Sequence, residues 1–126
     1  MEKKKILYVS QEICPYMNES AMGTLSGALP QLMQESGKDI RIFLPRFGTV
    51  NERRHQLHEV IRLSGMNLII DDFDHQLIIK VASIQQQRMQ VYFIDNEEYF
   101  PRRQMFHDHE GNFIENNDER MIFYCK

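Results

Sequence analysis

The sequence predicts an α/β domain: a βαβ unit that opens a parallel sheet, followed by an antiparallel β-meander. Three observations carry this. An apolar run, Ile6 to Ser10, precedes residues at helical spacing, and an alternating run, Asp39 to Pro45, closes the unit within about 40 residues. Further β-type runs between Glu59 and Asp95 are separated by polar clusters too short for crossover helices. Finally, 126 residues, 42% apolar and 26% charged, suffice for one globular domain and not for two ordinary ones.

Each element has its own signal. The apolar residues of Ile6–Ser10 are nearly continuous, which predicts a strand buried on both faces. Leu25, Ala28, Leu29, Leu32 and Met33 recur at helical spacing and form one apolar stripe. Gly37 stands where a helix end wants positive φ. Pro30 interrupts the helix, so either the helix kinks there or it starts near Leu29; the stripe stays in register across Pro30, which favours the kink. In Asp39–Pro45, Ile40, Ile42 and Leu44 alternate, and proline ends the strand.

The meander is expected from three runs: Glu59–Ile70, Gln76–Ile84 and Arg88–Asp95. The cluster Asp71–His75 reads as the turn between the first two, with aspartates supplying turn chemistry. Gln85–Gln87 is too short to be a low-complexity tract. A last helix is expected from Asn117 or Asp118 as N-cap.

Bulk properties exclude several function classes. A net charge of −3 gives no general attraction to nucleic acid or anionic lipid, so no nucleic-acid partner is expected. The basic start, Met1–Lys5, is followed by an apolar stretch too short for a signal peptide or membrane span. Cys14 and Cys125 form no Cys-x-x-Cys motif, and a cytoplasmic location with reduced thiols is the simplest expectation.

Candidate sites are few. Gly23 and Gly27 lack the dinucleotide-binding pattern, and close packing of the helix on the first strand is their expected use. His107–Glu110 offers two imidazoles and two carboxylates, but without further ligands at metal-site spacing it reads as a solvated loop. Neither a metal nor a cofactor is expected. Arg53 with Arg54, and Arg102 with Arg103, are candidates for phosphate or hydroxyl ligands, against a default of solvated surface charge. No local motif supports a catalytic nucleophile.

Four landmarks in order carry a family resemblance: "KILYVSQEICPY", "GALPQLMQESGKDIRIFLPRFG", "VYFIDNEEYFPRR" and "NNDERMIF". They span essentially the whole chain, which resembles the N-terminal part of bacterial glycogen synthases and starch synthases. These are retaining glycosyltransferases of the two-domain GT-B type. The resemblance implies a partial Rossmann-like (GT-B N-terminal) domain over residues 1–126, with a nucleotide-sugar donor (ADP-glucose or UDP-glucose) and an α-1,4-glucan as partners. It also implies histidines near the donor sugar, and a second domain with a basic pair and a glutamate pair, neither of which this sequence carries. Arg102 or Arg103 would be a framework or cleft-edge residue.

In that family the loop after the first strand carries Lys-x-Gly-Gly, whose backbone and charge meet the donor's phosphates, as helix N-termini favour anions. Aligned on the flanking landmarks, the lysine position falls on Asn18 and the glycines on Ser20 and Ala21, with Glu19 between. A lost charge-assisted hydrogen bond costs roughly 1.5–3 kcal/mol, and a carboxylate ~4 Å from a phosphate adds about 1 kcal/mol of repulsion in water. Together these weaken a diphosphate by roughly 50- to 1,000-fold. Ser20, Thr24 and free N–H groups would then hold an anion weakly at best.

Two functional expectations follow: part of a synthase that is inactive as this isolated chain, or a degenerate, non-catalytic relative that binds glucan or a partner synthase. The final helix has run about two turns at Lys126, and Met121, Ile122 and Phe123 need a sheet face to cover. The expectation is a longer synthase-like polypeptide, cut short here. A sheet lacking its later strands is also expected to self-associate through an unpaired edge.

Overall fold

The computed structural model describes residues 4–16, 21–47, 50–84, 89–97, 99–100 and 117–126. Strand β1 (Lys5–Val9) leads into helix α1 (Ala21–Glu35) and strand β2 (Asp39–Pro45), the βαβ unit read from the sequence. Beyond it come β3 (His58–Glu59), a 3-10 turn (Ile61–Leu63), β4 (Asn67–Ile70), β5 (Phe73–Gln76), β6 (Ile78–Ile84), β7 (Met89–Asp95) and helix α2 (Asn117–Cys125). The main sheet has the order β1-β2-β7-β6-β3, and β4 and β5 form a separate hairpin. β1, β2 and β7 are parallel; β6 and β3 are antiparallel additions.

Register assigns the two faces. Ile6 lies beside Ile40, Tyr8 beside Ile42, and Ile42 and Leu44 beside Val91 and Phe93. Tyr8 meets α1, its hydroxyl 3.2 Å from that of Ser26, so these residues define the α1 face. Ile42, Leu44, Val91 and Phe93 are fully buried there and form the centre of the core. On the opposite face, Leu7 and Val9 are 65% and 57% exposed. β1 is therefore covered on one face, which corrects the expectation of a strand buried on both. Its run is apolar because of residues on each face, but the described residues leave one of them open.

α1 runs unbroken through Pro30, so the late start near Leu29 does not occur. It ends where Gly37 takes φ +92, with N–H groups of Gly37 and Lys38 bonded back to Gln34 and Met33 carbonyls. This paired closure satisfies carbonyls the helix end leaves unpaired. The face pressed to the sheet carries Gly23, Ser26 and Pro30. Leu25 and Leu32 of the apolar stripe point outward, 58% and 61% exposed, while Leu29 and Met33 are half-buried. Small residues face inward because the helix sits very close to the chain after β1. A Cβ on Gly27 would lie 3.3 Å from both Cβ and O of Cys14, so this glycine allows close packing against the loop after β1 and not, as expected, against the first strand itself.

The meander departs from its sequence reading in several places. The expected strand Glu59–Ile70 is broken by Ser64 and by Gly65 at φ +98. The Ser64 hydroxyl donates to the Val60 carbonyl (2.9 Å) and accepts from the Ile79 N–H (3.0 Å), replacing ladder bonds that the kink removes. Within the expected turn Asp71–His75, only Asp71 and Asp72 turn, with φ of 50° and 65°. Two consecutive residues at positive φ match the twist of a tight hairpin, so β5 already begins at Phe73. α2 includes both residues offered as its cap, so its capping position precedes Asn117, outside the described residues.

Candidate functional site at the carboxyl ends of the parallel strands

In open sheets of this kind, ligands bind beyond the carboxyl ends of the parallel strands. At that end of β1, the Ser10 N–H donates to the Phe43 carbonyl at 3.1 Å. The Ser10 hydroxyl donates to the Glu12 carbonyl at 2.7 Å and lies 2.8 Å from the Ser26 hydroxyl. The Cys14 N–H then bonds the Gly23 carbonyl at 3.0 Å. Residues 10–16 are thus folded back on the inner face of α1, with Glu12 and Ile13 buried. Of the aligned phosphate-loop positions, Asn18 and Ser20 lie outside the described residues, as does Glu19; Ala21 opens α1 and is exposed.

Tyr16 closes the described part of this loop. It is buried edge-on against Phe93 (5.0 Å) and His55 (4.7 Å) on the α1 face. Burial pushes its phenol up to about 12. Burial, and then the charge of Arg54, hold His55 below its ordinary value. An open cavity of about 490 Å³ lies between Tyr16, Arg54, His55 and the end of β6 at Ser83 and Ile84. Arg53 and Arg54 are both exposed, as surface charge is expected to be.

Next to the loop, at the ends of β2 and β7, stands a charge cluster the sequence did not reveal. Asp95 accepts from Arg46 Nη2 at 3.1 Å and from the Asn96 N–H at 2.8 Å, and Lys80 Nζ lies 2.8 Å from its Oδ2. Arg46 Nε is also 3.0 Å from Asp95 Oδ2, a contact of charge, since its N–H is not aimed at an acceptor. Glu52 completes the group, 2.6 Å from Lys80 and 3.4 Å from Arg46. Burial opposes the charge on Lys80, but hydrogen bonds and attraction from Asp95 and Glu52 outweigh it and raise its pKa. Two cations are matched by two carboxylates, so neither cation is left over for a phosphate. Only register could have found this cluster, because Arg46 and Asp95 are 49 positions apart.

Asn96 extends the cluster toward the hairpin. Its amide donates to the Gln76 carbonyl at 2.8 Å and accepts from the Tyr99 N–H at 3.1 Å. The Tyr99 hydroxyl donates to Glu119 Oε2 at 3.0 Å and lies 3.0 Å from His75 Nε2. His75, read as part of a turn, is buried here. Arg120 of α2 is fully buried, its guanidinium 5.0 and 5.4 Å from the rings of Phe47 and Phe100. The Tyr124 hydroxyl reaches the Ser10 and Phe43 carbonyls at 3.2 and 2.9 Å, tying α2 to the ends of β1 and β2. Arg102, Arg103 and His107–Glu110 lie outside the described residues. Among the described residues no cluster of histidine, cysteine and carboxylate side chains is arranged for a metal, and no helix is long and apolar enough to cross a membrane.

The geometry is thus an anchored loop at the head of a βαβ unit, with Arg46 and Lys80 paired to carboxylates and Arg54 exposed near Tyr16. The glycogen synthase of Chlorobium limicola is 38% identical over 121 residues, covering 95% of this chain and 25% of that protein. For the glycogen synthase of Chlorobaculum tepidum the identity is 36%, with the same coverage. The fold is that of the catalytic domain of Starch Synthase IV from Arabidopsis thaliana bound to ADP and acarbose (TM-score 0.77, 16% identity, 98% of this chain and 24% of that one). The chain therefore spans about a quarter of the length of these relatives. The family model of the starch synthase catalytic domain matches residues 5–126, and the chain belongs to that family.

Proposed function

We propose that the chain serves as the N-terminal portion of a glycogen/starch synthase-type catalytic domain. There it forms one wall of a cleft in which glucose passes from ADP-glucose or UDP-glucose to an α-1,4-glucan; alone it does not catalyse transfer. The observation that carries this reading is the family match over residues 5–126, centred on a loop anchored at the carboxyl end of β1. The Arabidopsis protein was solved with ADP and acarbose, which supports a nucleotide and a sugar as partners. A cytoplasmic location and weak self-association of the isolated chain through the outer edge of β1 belong to the same proposal.

A second reading, a non-catalytic relative that binds glucan or a partner synthase, is favoured by one observation. Asn18, Ser20 and Ala21 replace the lysine and glycines, and Arg46 and Lys80 beside the loop are already paired. Fusing residues 1–126 to the remaining three-quarters of the Chlorobium limicola enzyme separates the two. The isolated chain is expected to show no glucose transfer and no micromolar ADP-glucose binding by calorimetry, and Asn18→Lys alone is expected to rescue no transfer. In the fusion, Asn18→Lys with Ser20→Gly and Ala21→Gly should tighten donor binding by roughly 10- to 150-fold, Glu19 being retained. Micromolar donor binding by the isolated chain would sink the first reading's dependence on a second domain. A folded fusion that gains nothing from the triple substitution, yet binds glycogen, establishes the second.

A further inference from the structure

The segment between β2 and β3 ends in a short turn that is held from several sides. The Asn51 side chain accepts the Arg54 N–H at 3.0 Å, and Glu52 pairs with Lys80 at 2.6 Å. The Gln56 N–H returns to the Arg53 carbonyl, and the Leu57 N–H to the Glu52 carbonyl. This double closure sets Gln56 at φ 54, a left-handed conformation that ordinarily falls to glycine. The turn thereby presents Arg54, His55 and Gln56 together to the cavity of about 490 Å³ beside Tyr16.

Two polar groups in that cavity lack a partner among the described residues. Tyr16 is only 6% exposed, yet its contacts there are the rings of His55 and Phe93, and its hydroxyl meets no acceptor or donor. Burial pushes this phenol up to about 12, so it remains a donor at neutral pH. The Arg54 guanidinium meets no carboxylate among the described residues, whereas Arg46 and Lys80 share Asp95 and Glu52. The described lining of the cavity holds no carboxylate at all, and Pro15 and Ile84 give it apolar walls.

From this convergence we propose that the cavity between Tyr16, Arg54 and Gln56 binds a sugar-sized phosphate monoester. The Arg54 guanidinium offers paired N–H donors that match two phosphate oxygens. The Tyr16 hydroxyl and the Gln56 amide meet hydroxyl groups, and Pro15 and Ile84 lie against the carbon skeleton. A neutral sugar would use the polar groups and leave the one charge without a counterpart. Gln56 accounts for its own backbone: glycine would suit the turn better but would bring no amide to the cavity. The site does not depend on glucose transfer, because binding is read on this chain directly.

The test is titration of the 126-residue chain with inorganic phosphate, ribose 5-phosphate and uncharged ribose, followed by calorimetry and by NMR of the His55 ring. Both phosphates are expected to saturate one site and shift the His55 signals, ribose 5-phosphate at the lower concentration. Arg54→Gln, at an exposed side chain, should leave melting unchanged and weaken ribose 5-phosphate at least about tenfold. Tyr16→Phe keeps the ring packing and should weaken it about fivefold at unchanged melting. Gln56→Gly should raise the melting temperature by relieving the left-handed strain and still weaken binding, which a residue serving only the fold would not do. Arg62→Gln, at an exposed residue of the 3-10 turn, should change nothing. Three results would each overturn the site: no saturable binding of either phosphate at millimolar concentration, equal weakening by Arg54→Gln and Arg62→Gln, or ribose binding as tightly as ribose 5-phosphate. Binding untouched by both Tyr16→Phe and Gln56→Gly would overturn it as well.

Discussion

On the β1–β2–β7 sheet the α1 face is nearly all apolar, whereas the opposite face mixes apolar residues with Lys5, Asp39, Arg41 and Gln90. The α1 face carries Ile42, Leu44, Val91 and Phe93, all fully buried, while the other face leaves Leu7 and Val9 more than half exposed. The difference lies in what covers each face. α1 and the folded-back residues 10–16 close the first, and among the described residues only α2's last turn and the residues it packs with reach the second. Apolar sequence therefore marks surface that some polypeptide must cover, without saying which polypeptide does so.

The largest expected effect breaks the comparison at its centre. Phe93→Ala removes a buried ring that packs edge-on with Tyr16, and should cost about 3–5 kcal/mol of stability. Val9→Thr, on the open face of the same sheet, should change stability by less than about 0.5 kcal/mol in the isolated chain. Urea unfolding of both variants checks the pair. Comparable losses would mean that the open face is covered after all.

A smaller effect is expected at the rim of the covered face. Asp95→Asn leaves Arg46 and Lys80, both largely buried, facing only Glu52. Loss of one partner from a buried charge group should cost about 2–3 kcal/mol. It should also release Asn96, whose backbone N–H bonds Asp95. Thermal unfolding measures the first consequence. Faster hydrogen exchange at Tyr99, whose N–H bonds Asn96, measures the second. Unchanged exchange there would show that Asn96 holds its place without Asp95.

The sequence made the covered face legible and left the rim obscure. Alternation in Ile40, Ile42 and Leu44 named the core of β2 correctly, because strand periodicity and burial coincide there. The helical stripe of α1 misled as to which residues lie innermost, because a helix drawn close by Gly23, Ser26 and Gly27 turns its small side toward the sheet. Ser64 and Gly65 broke a strand whose apolar pattern alone could not show that a serine hydroxyl would replace ladder bonds. The phosphate-loop position rests on the family landmarks alone, and Asn18 and Ser20 lie outside the described residues. The cluster of Arg46, Glu52, Lys80 and Asp95 was not legible at all, since each member looks like ordinary surface charge until register brings them together.

The smallest expected effect, a dependence on pH, sharpens the comparison. On the covered face burial raises the Tyr16 phenol to about 12, from an ordinary value of 10.0. Tyr124, at the rim of the open face, is raised in the same direction by burial and then by the charge of Cys125. In both, folding favours the protonated phenol, so their contribution is complete below about pH 10 and is lost as pH rises through the folded values. His55 acts at the other end of the scale. Its pKa is lowered from 6.5 by burial and by Arg54, so folding favours the neutral ring. That contribution is complete above pH 6.5 and declines as pH falls below it, because the unfolded chain then binds the proton more readily. Urea midpoints at about pH 5, 7.5 and 10.5 separate His55 from the two phenols, which the variants below then distinguish. His55→Gln should flatten only the acid limb. Tyr16→Phe and Tyr124→Phe should each flatten only the alkaline limb.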